Sequence, residues 1–157
     1  MSKIYDEEDL VSGIREFMKD NLNTKIASIN TEKGDFNIDT ITSDDDHFVL
    51  AGSLLDIPNH TFCQVAIDGE IEVKTNADSK ASILNIFVEV AFDNPKNAKS
   101  YKMSLRYMRA VYETLLEYAQ SAIEADGFEI TKAIPMIVTY KQRQLVVSGA
   151  GLTVAIG

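Results

Sequence analysis

The sequence predicts an α+β fold: an antiparallel or mixed β-sheet of about four to five strands, packed by an N-terminal helix and one long central helix and ending in a β-hairpin. The first indication is the segment 83–92, where apolar and β-branched residues alternate as in a strand with one face in the core. The second is the helical spacing of apolar residues near the N-terminus and after residue 97. The third is a pair of extended apolar segments that closes the chain.

The length predicts a single domain over residues 1–157. A chain of 157 residues buries about two-thirds of the surface that its unfolded form exposes, so it needs no disulfide or metal to fold. The single cysteine, Cys63, excludes an intrachain disulfide and favours a reducing compartment. The acidic N-terminal segment does not resemble a signal peptide, and no apolar run reaches the ~18 residues that span a bilayer.

The N-terminal helix is predicted over residues 6–22, with Asp6 as its N-cap. The apolar pattern fades around Asn23, so residues 24–29 are either a last turn or the start of a linker. Residues 30–47 are polar and predict a loop with one short strand.

The middle of the chain predicts strands. Residues 62–67 end in a turn pair and residues 70–74 alternate, so together they form either a hairpin or one bulged strand. Residues 75–82 predict a mobile polar loop. The strand 83–92 is apolar even on its minor face, which needs cover from the first helix, the hairpin or another subunit.

The long helix is predicted over residues 98–125, with Gly127 as its C-terminal cap. Its predicted core-facing stripe consists of Tyr101, Leu105, Met108, Tyr112, Leu115, Leu116, Ala119 and Ile123. The terminal hairpin is predicted from residues 128–140 and 145–156. Pro135 cannot donate to a strand ladder and therefore marks an edge position or a bulge.

The formal net charge of −9 restricts the function. It argues against broad binding to nucleic acid, because clustered Lys and Arg are needed to neutralise phosphates. It also argues against binding to anionic membrane surfaces. An acidic protein close to DNA repels the backbone instead of gripping it.

The sequence gives no pattern for catalysis, metal binding or cofactor binding. The run Asp-Asp-Asp-His at 44–47 lacks the spaced ligands, central Gly and distal Glu of a calcium loop, which favours a solvated loop. His60 and Cys63 are close, but Cys63 lies in an apolar strand, where a free cysteine usually behaves as a small hydrophobe. Residues 148–151 lack the Lys and following helix of a phosphate loop and indicate a bulge or a close backbone contact.

Six side chains are predicted to contact other subunits or partners: Ile83, Phe87, Arg106, Tyr107, Arg109 and Arg143. The first two lie on the minor face of the strand 83–92. The next three lie away from the core stripe of the long helix, and tyrosine and arginine are enriched in protein interfaces. The last lies in the polar turn of the hairpin.

The order of these elements resembles a known family. The opening helix carries Glu-Glu-Asp-Leu at 7–10, and the strand Ile-Leu-Asn-Ile-Phe-Val-Glu-Val at 83–90 leads to a helix that opens near residues 100–101. The chain ends in a hairpin that contains Leu-Val-Val-Ser-Gly-Ala-Gly-Leu-Thr-Val at 145–154. Over most of the chain, this arrangement is similar to that of the tail terminator, or tail completion, proteins of long-tailed bacteriophages.

The resemblance implies a structural protein of the virion tail or neck, assembled in the host cytoplasm as a homo-oligomeric, hexameric ring. Such a ring caps the tail tube, ends its polymerisation and joins it to the head. The implied partners are other copies of the chain, the tail tube protein, the head-side connector or neck protein and, in a contractile tail, the sheath protein. DNA passes through the lumen without specific binding, and no enzyme activity, cofactor or membrane is implied.

Three alternatives remain open. The chain could have another phage structural role, as a tail tube or head completion subunit. It could be a small-ligand-binding α+β module with a pocket between the long helix and the sheet. It could also be an enzyme whose carboxylate or histidine pair becomes adjacent only in the fold.

Overall fold

The computed structural model describes residues 2–3, 6–50, 58–121, 123–124, 127–140 and 143–157. In chain order its elements are β1 (Ser2–Lys3), α1 (Glu7–Lys33), β2 (Phe48–Leu50), β3 (Phe62–Ile67), β4 (Glu72–Thr75), β5 (Lys80–Asp93), α2 (Ser100–Ser121), β6 (Ile123–Glu124), β7 (Gly127–Tyr140) and β8 (Arg143–Ile156). Within these ranges, no helix combines the length and the apolar character needed to cross a bilayer.

The predicted α+β fold is confirmed. A six-stranded sheet has the order β2-β3-β5-β8-β7, and β4 pairs with β5 as well. β2 and β3 are parallel, whereas the other neighbours in this sheet are antiparallel. The sheet has more strands than the four to five predicted, because it includes the short strands β2 and β4, which have only 3 and 4 residues. β1 and β6 form a separate parallel pair.

The main core lies between the two helices and one face of the sheet. β5 supplies its central row of side chains, which are Leu84, Ile86, Val88, Val90 and Phe92. A second, smaller buried cluster belongs to the opposite face and consists of Val49, Phe62, Ala91, Leu145 and Val147. Ala91 is the β5 residue in this second cluster, whereas Ile83 and Phe87, on the same minor face, are half-buried.

α1 begins as predicted, since the Asp6 side chain accepts a hydrogen bond from the Asp9 N–H at 2.8 Å. The predicted end at residue 22 is wrong. The helix continues to Lys33 and ends at Gly34, whose φ of 70° is the left-handed conformation of a C-terminal cap. Residues 24–29, predicted to be either a last turn or the start of a linker, are therefore helical.

The tertiary contacts of two polar residues explain this extra length. Asn23 and Asn30 interrupt the apolar pattern, yet their side chains bind the backbone of Ile41 and Ile38, respectively. Ile26, in the same helix, is fully buried in the core. The predicted loop therefore shrinks to residues 35–47, and the short strand expected within it does not form.

The bulged-strand interpretation of residues 62–74 is confirmed. Within the described chain, β3 and β4 do not pair with each other, because both run antiparallel to β5 along the same side. Residues 68–71 bulge out between them. The loop predicted at 75–82 is a turn that is closed by a hydrogen bond from the Asn76 N–H to the Ser79 carbonyl at 3.0 Å.

α2 is shorter than predicted, and residues 122 and 125 lie outside the described ranges. Its buried side also differs from the predicted stripe. The buried residues are Ser104, Arg106, Tyr107, Ala110, Val111, Thr114, Leu115 and Tyr118. This pattern lies about one residue, or ~100° around the helix, from the predicted one. The rings of Tyr107 and Tyr118 contact Phe92 and Phe17, each with centroids 5.1 Å apart, and hold the helix in this rotation.

The terminal hairpin is confirmed, although residues 141–142 of its turn lie outside the described ranges. Gly127 is the first residue of β7 and not the cap of α2. Pro135 lies on the outermost strand, as predicted, and the β7 register shifts between Ile130 and Lys132. β7 is therefore an edge strand with a bulge in its first half.

Candidate assembly surface

β7 presents a long strand edge. Among the described strands it pairs only with β8, through the whole of Gly127–Tyr140. An edge strand offers a row of backbone donors and acceptors to any extended chain that lies beside it. On the other side of the sheet, β4 carries Glu72 and Lys74, which form an ion pair at 3.6 Å. β7 itself carries exposed Glu129 and Lys132 in its first half. Charges of this kind protect an edge against pairing.

The position of Pro135 fixes which backbone groups of β7 face outward. Opposite residues of an antiparallel pair alternate between hydrogen-bonded and non-hydrogen-bonded positions. Pro135 has no N–H and lies opposite Ser148, so this pair occupies a non-hydrogen-bonded position. Ala133 and Ile137 lie two residues before and after Pro135, so they have the same parity along the strand. Their backbone N–H and C=O groups are therefore directed toward the free edge.

Exposed apolar side chains surround this edge. Ile137 is 64% exposed, Met136 is 47% exposed, and Tyr101 at the start of α2 is 69% exposed. These three side chains line one groove of about 570 Å³, whose other lining residues are Asn97, Ala98, Ser100, Ser104, Pro135 and Val146. We call it the α2–β7 groove. None of its lining residues carries a formal charge.

Tyr101 is also the first residue of an apolar stripe along α2, which we call the α2 flank. It consists of Tyr101, Leu105, Met108, Tyr112 and Leu116. These positions follow helical spacing, and all five are half-buried or exposed. Five of the residues predicted to face the core thus form a boundary surface, whereas Leu115 of the same predicted stripe is buried, together with Ser104 and Thr114. A helix that directs its more apolar stripe outward is suited to a protein contact.

Arg106 and Tyr107, two of the predicted contacts, lie inside the chain. Tyr107 is 1% exposed, and its hydroxyl donates to the Asp39 carbonyl at 2.7 Å. Burial raises the pKa of this phenol, and the nearby Asp39 carboxylate adds to the effect. Arg106 is 6% exposed, pairs with Asp35 at 2.8 Å and stacks on Phe36. The interpretation that these two side chains point away from the core is wrong.

The other two arginines also bind within the chain. Arg109 forms ion pairs with Glu32 of α1 and, at 3.0 Å, with Glu113. Arg143 pairs with Asp93 at 2.9 Å and donates to the Pro58 carbonyl at 3.1 Å. Both are half-buried, and their role toward partners remains a prediction.

Ile83 and Phe87 lie on the minor face of β5, as predicted, and both are half-buried. The ammonium group of Lys132 lies 4.8 Å from the centroid of the Phe87 ring. The structure therefore does not bring the six predicted contact residues together. They are distributed between the α1–α2 contact, the hairpin and the outer face of the sheet.

The residues considered for catalysis or metal binding make contacts that suit a structural role. Cys63 is 1% exposed, and burial raises the pKa of its thiol, which removes the thiolate that a nucleophile needs. His60 stacks on His47 with centroids 3.8 Å apart. His47 Nδ1 lies 2.6 Å from Asp44 Oδ1, and this hydrogen bond lowers the pKa of the Asp44 carboxyl. No group of three metal-ligating side chains occurs in the part of the chain that the structure describes.

The small residues at 148–151 form a close backbone contact, as predicted. A Cβ atom on Gly149 would lie 2.0 Å from the Val88 carbonyl oxygen of β5. Beside it, the buried hydroxyls of Ser148 and Ser104 are 2.8 Å apart and join β8 to α2. Two hydroxyls carry two protons, and their mutual hydrogen bond uses one. Ser104 also lines the α2–β7 groove.

Sequence reasoning missed the residues of the candidate surface. The sequence pattern places Tyr101 on the core-facing stripe, because two apolar stripes of α2 compete and spacing alone does not choose between them. Met136 and Ile137 carry a signal, since two consecutive apolar residues place one on each face of an edge strand. Comparison with known proteins adds no identification: no family model matches the chain, and no curated protein matches it significantly.

Proposed function

We propose that the protein is a structural subunit of the tail or neck of a long-tailed bacteriophage. In this role it forms a homo-oligomeric, hexameric ring that caps the tail tube, ends its polymerisation and joins it to the head-side connector. The observation that carries the proposal is the apolar surface made of the α2 flank together with Met136 and Ile137 of β7, where Tyr101 is 69% and Ile137 is 64% exposed. Large exposed apolar patches beside an unpaired strand mark protein interaction sites.

The position of this surface suits ring assembly. β7 is the last strand of the sheet, so the surface lies at one lateral end of the molecule. A contact between one such end and a different surface of the next copy is heterologous, and its repetition closes a ring when the rotation fits. The resemblance of the element order to tail terminator proteins supports this use of the surface.

The charge of the chain is compatible with the role. A net charge of −9 disfavours adhesion of DNA to a lumen through which it has to pass. The proposed partners are the tail tube protein, the connector or neck protein and, in a contractile tail, the sheath protein. The proposed location is the virion, after assembly in the host cytoplasm.

Light scattering and negative-stain imaging of the purified chain test the proposal. We expect a closed ring at high protein concentration or on added tail tubes. Leu116, at the far end of the α2 flank, is 44% exposed, so Leu116→Glu should fold normally and weaken assembly. Val73→Asp, at an apolar site 52% exposed on β4, is the matched control. A chain that stays monomeric with tubes present would rule the proposal out.

The other phage roles predict different locations. A tail tube subunit would form a stack of rings along the tail, and a head completion protein would lie at the portal. Cryo-electron microscopy of particles that carry the labelled chain separates these roles from a single ring at the tail end.

The α2–β7 groove favours a second candidate function, the small-ligand-binding module. Its volume of about 570 Å³ and its apolar lining fall within the range of ligand sites. A ligand that binds only the native state raises the melting temperature, so a thermal-shift screen against metabolites tests this candidate. A strong hit on a chain that does not assemble would favour the module over the ring subunit.

A further inference from the structure

We infer that the basic start of α2, at the β7 end of the sheet, binds the acidic β2 end of a second copy of the chain. This contact rests on the assembly role proposed above and names the two surfaces that meet in it. Two features support it: charge is segregated along the sequence, and the fold places the two charged segments at opposite ends of the sheet.

The charge segregation is visible in two segments. Residues 94–112 contain five Lys or Arg and no Asp or Glu, although the whole chain has 15 of the former and 24 of the latter. Residues 34–73 show the reverse, with nine Asp or Glu and no Lys or Arg. Two regions of opposite sign on one surface give two copies of a protein a preferred mutual orientation.

Three exposed lysines at the start of α2 form the accessible part of the basic segment, which we call the basic rim: Lys96, Lys99 and Lys102. Within the described chain, Lys96 and Lys99 form no ion pair, and the Lys99 ammonium lies 5.1 Å from the centroid of the Phe36 ring. Lys102 lies 3.9 Å from Asp35, but its side chain is 63% exposed. The residues between these lysines line the α2–β7 groove, so the basic rim borders the apolar surface.

Four carboxylates at the other end of the sheet form the counterpart, which we call the acidic edge: Asp44, Asp45, Asp46 and Glu70. The first three precede β2, and the last lies in the bulge between β3 and β4. Asp44 bonds to a neighbouring histidine, and Asp45 faces two cations of α1. Asp46 and Glu70 are exposed and form no ion pair among the described residues.

The fold keeps these two surfaces apart. β2 and β7 are the outer strands of the sheet and lie four strand spacings from each other, or about 19 Å. α1 packs on β2 and β3, whereas α2 packs on β7 and β8. This separation exceeds the Debye length of about 8 Å at physiological ionic strength, so the basic rim and the acidic edge hardly neutralise each other within one molecule.

A second copy of the chain supplies the missing counter-charges. When the β7 end of one copy meets the β2 end of the next, the basic rim faces the acidic edge, and repetition of this heterologous contact gives a ring or an open row. A contact between two β7 ends would instead place lysines opposite lysines. In the head-to-tail contact, the apolar groove lies inside the interface, and the charges around it determine which ends meet.

Charge reversal of either surface tests the contact. The double variant Lys96→Glu, Lys99→Glu and the double variant Asp46→Lys, Glu70→Lys each give a chain with two ends of like charge. By light scattering, each should need at least tenfold more protein than the wild type to assemble. An equimolar mixture of the two variants should assemble as the wild type does, because copies of one alternate with copies of the other. Wild-type assembly should also weaken as the salt concentration rises.

Two further double variants carry the same changes of net charge at other exposed positions. Lys33→Glu, Lys74→Glu matches the lysine reversal, and Glu8→Lys, Glu129→Lys matches the carboxylate reversal. Both controls should assemble at the wild-type concentration. Circular dichroism of all four variants reports whether they fold.

The outcomes separate this contact from the ring itself. If the wild type forms rings and either reversed variant assembles normally alone, or their mixture fails to assemble, the inference is overturned and the ring remains. Reversed lysines that weaken binding to tail tubes but not self-association also overturn it, in favour of the tube protein as the partner of the basic rim. Open rows that follow the expected reversal pattern support the inference and rule out the closed ring. A wild-type chain that stays monomeric overturns both.

Discussion

The side chain of Asn23 binds the backbone of Ile41 in both directions. Its Oδ1 accepts from the Ile41 N–H at 2.8 Å, and its Nδ2 donates to the Ile41 carbonyl at 2.6 Å. Asn30, two turns later, binds Ile38 in the same way at 2.9 and 3.0 Å. Two amides thus attach the chain after α1 to the helix, and both bound isoleucines are 2% exposed.

This arrangement predicts that Asn23→Ala and Asn30→Ala each destabilise the fold by ~1–3 kcal/mol, because each leaves two backbone groups without partners. Urea unfolding followed by circular dichroism measures the loss. Asn37→Ala, at an exposed position of the same loop, is the control and should cost less than ~0.5 kcal/mol. Equal stability of all three variants would show that the two amides do not hold the loop.

The contact between Gly149 and β5 predicts a strong effect of one added methyl group. Gly149→Ala places a Cβ 2.0 Å from the Val88 carbonyl oxygen, and neither backbone can move without breaking the ladder. We expect a loss of ~1–3 kcal/mol, the usual cost of overpacking. Gly127→Ala, whose Cβ would meet its nearest atom at 3.6 Å, should be tolerated in the same unfolding measurement. Similar midpoints for the two variants would contradict the contact.

The hydrogen bond between Ser104 and Ser148 predicts that mutations at these two positions have non-additive effects on stability. Each single alanine variant removes one hydroxyl and leaves the other buried without a partner. The double variant removes both, so it should lose less stability than the sum of the singles, with a coupling of ~0.5–3 kcal/mol. A double-mutant cycle by urea unfolding provides the measurement. Strict additivity would mean that the two hydroxyls do not interact.

The burial of the Glu89 carboxyl predicts that the stability of the fold depends on pH. It is 9% exposed, and burial raises the pKa of its carboxyl; the Asp68 charge adds to this, and a hydrogen bond from Gln64 opposes it. At a pH above the raised value, the folded state bears the cost of a buried charge. As the pH falls through that value, the folded state takes up a proton before the unfolded state does, and stability rises.

Glu89→Gln should therefore raise the melting temperature at neutral and alkaline pH. The gain over the wild type should shrink as the pH falls toward the ordinary pKa of a glutamate, 4.5, and level off below it, where the wild-type carboxyl is protonated in both states. Calorimetry across this range tests the sign. Glu70→Gln removes an exposed carboxylate and serves as the control. A gain that is independent of pH would point to packing and not to the buried charge.

The sequence by itself determined the class and order of the fold. Strict alternation over 83–92 predicted β5, the Asp6 cap predicted the start of α1, and the position of Pro135 predicted an edge. These signals are local, because a period of two or a capping side chain depends only on neighbouring residues. They gave the α+β architecture and the terminal hairpin with boundaries close to the observed ones.

Only the tertiary structure decided the length of α1, the rotation of α2 and the position of the candidate surface. Asn23 by itself disfavours a helix, but its hydrogen bonds to Ile41, 18 residues away, stabilise the helix at this position. The rotation of α2 depends on which of two stripes fits against α1 and the sheet, and packing of Tyr107 and Tyr118 outweighs the greater hydrophobicity of the α2 flank. Spacing along a helix defines its faces, but contacts between distant segments choose the face that is buried.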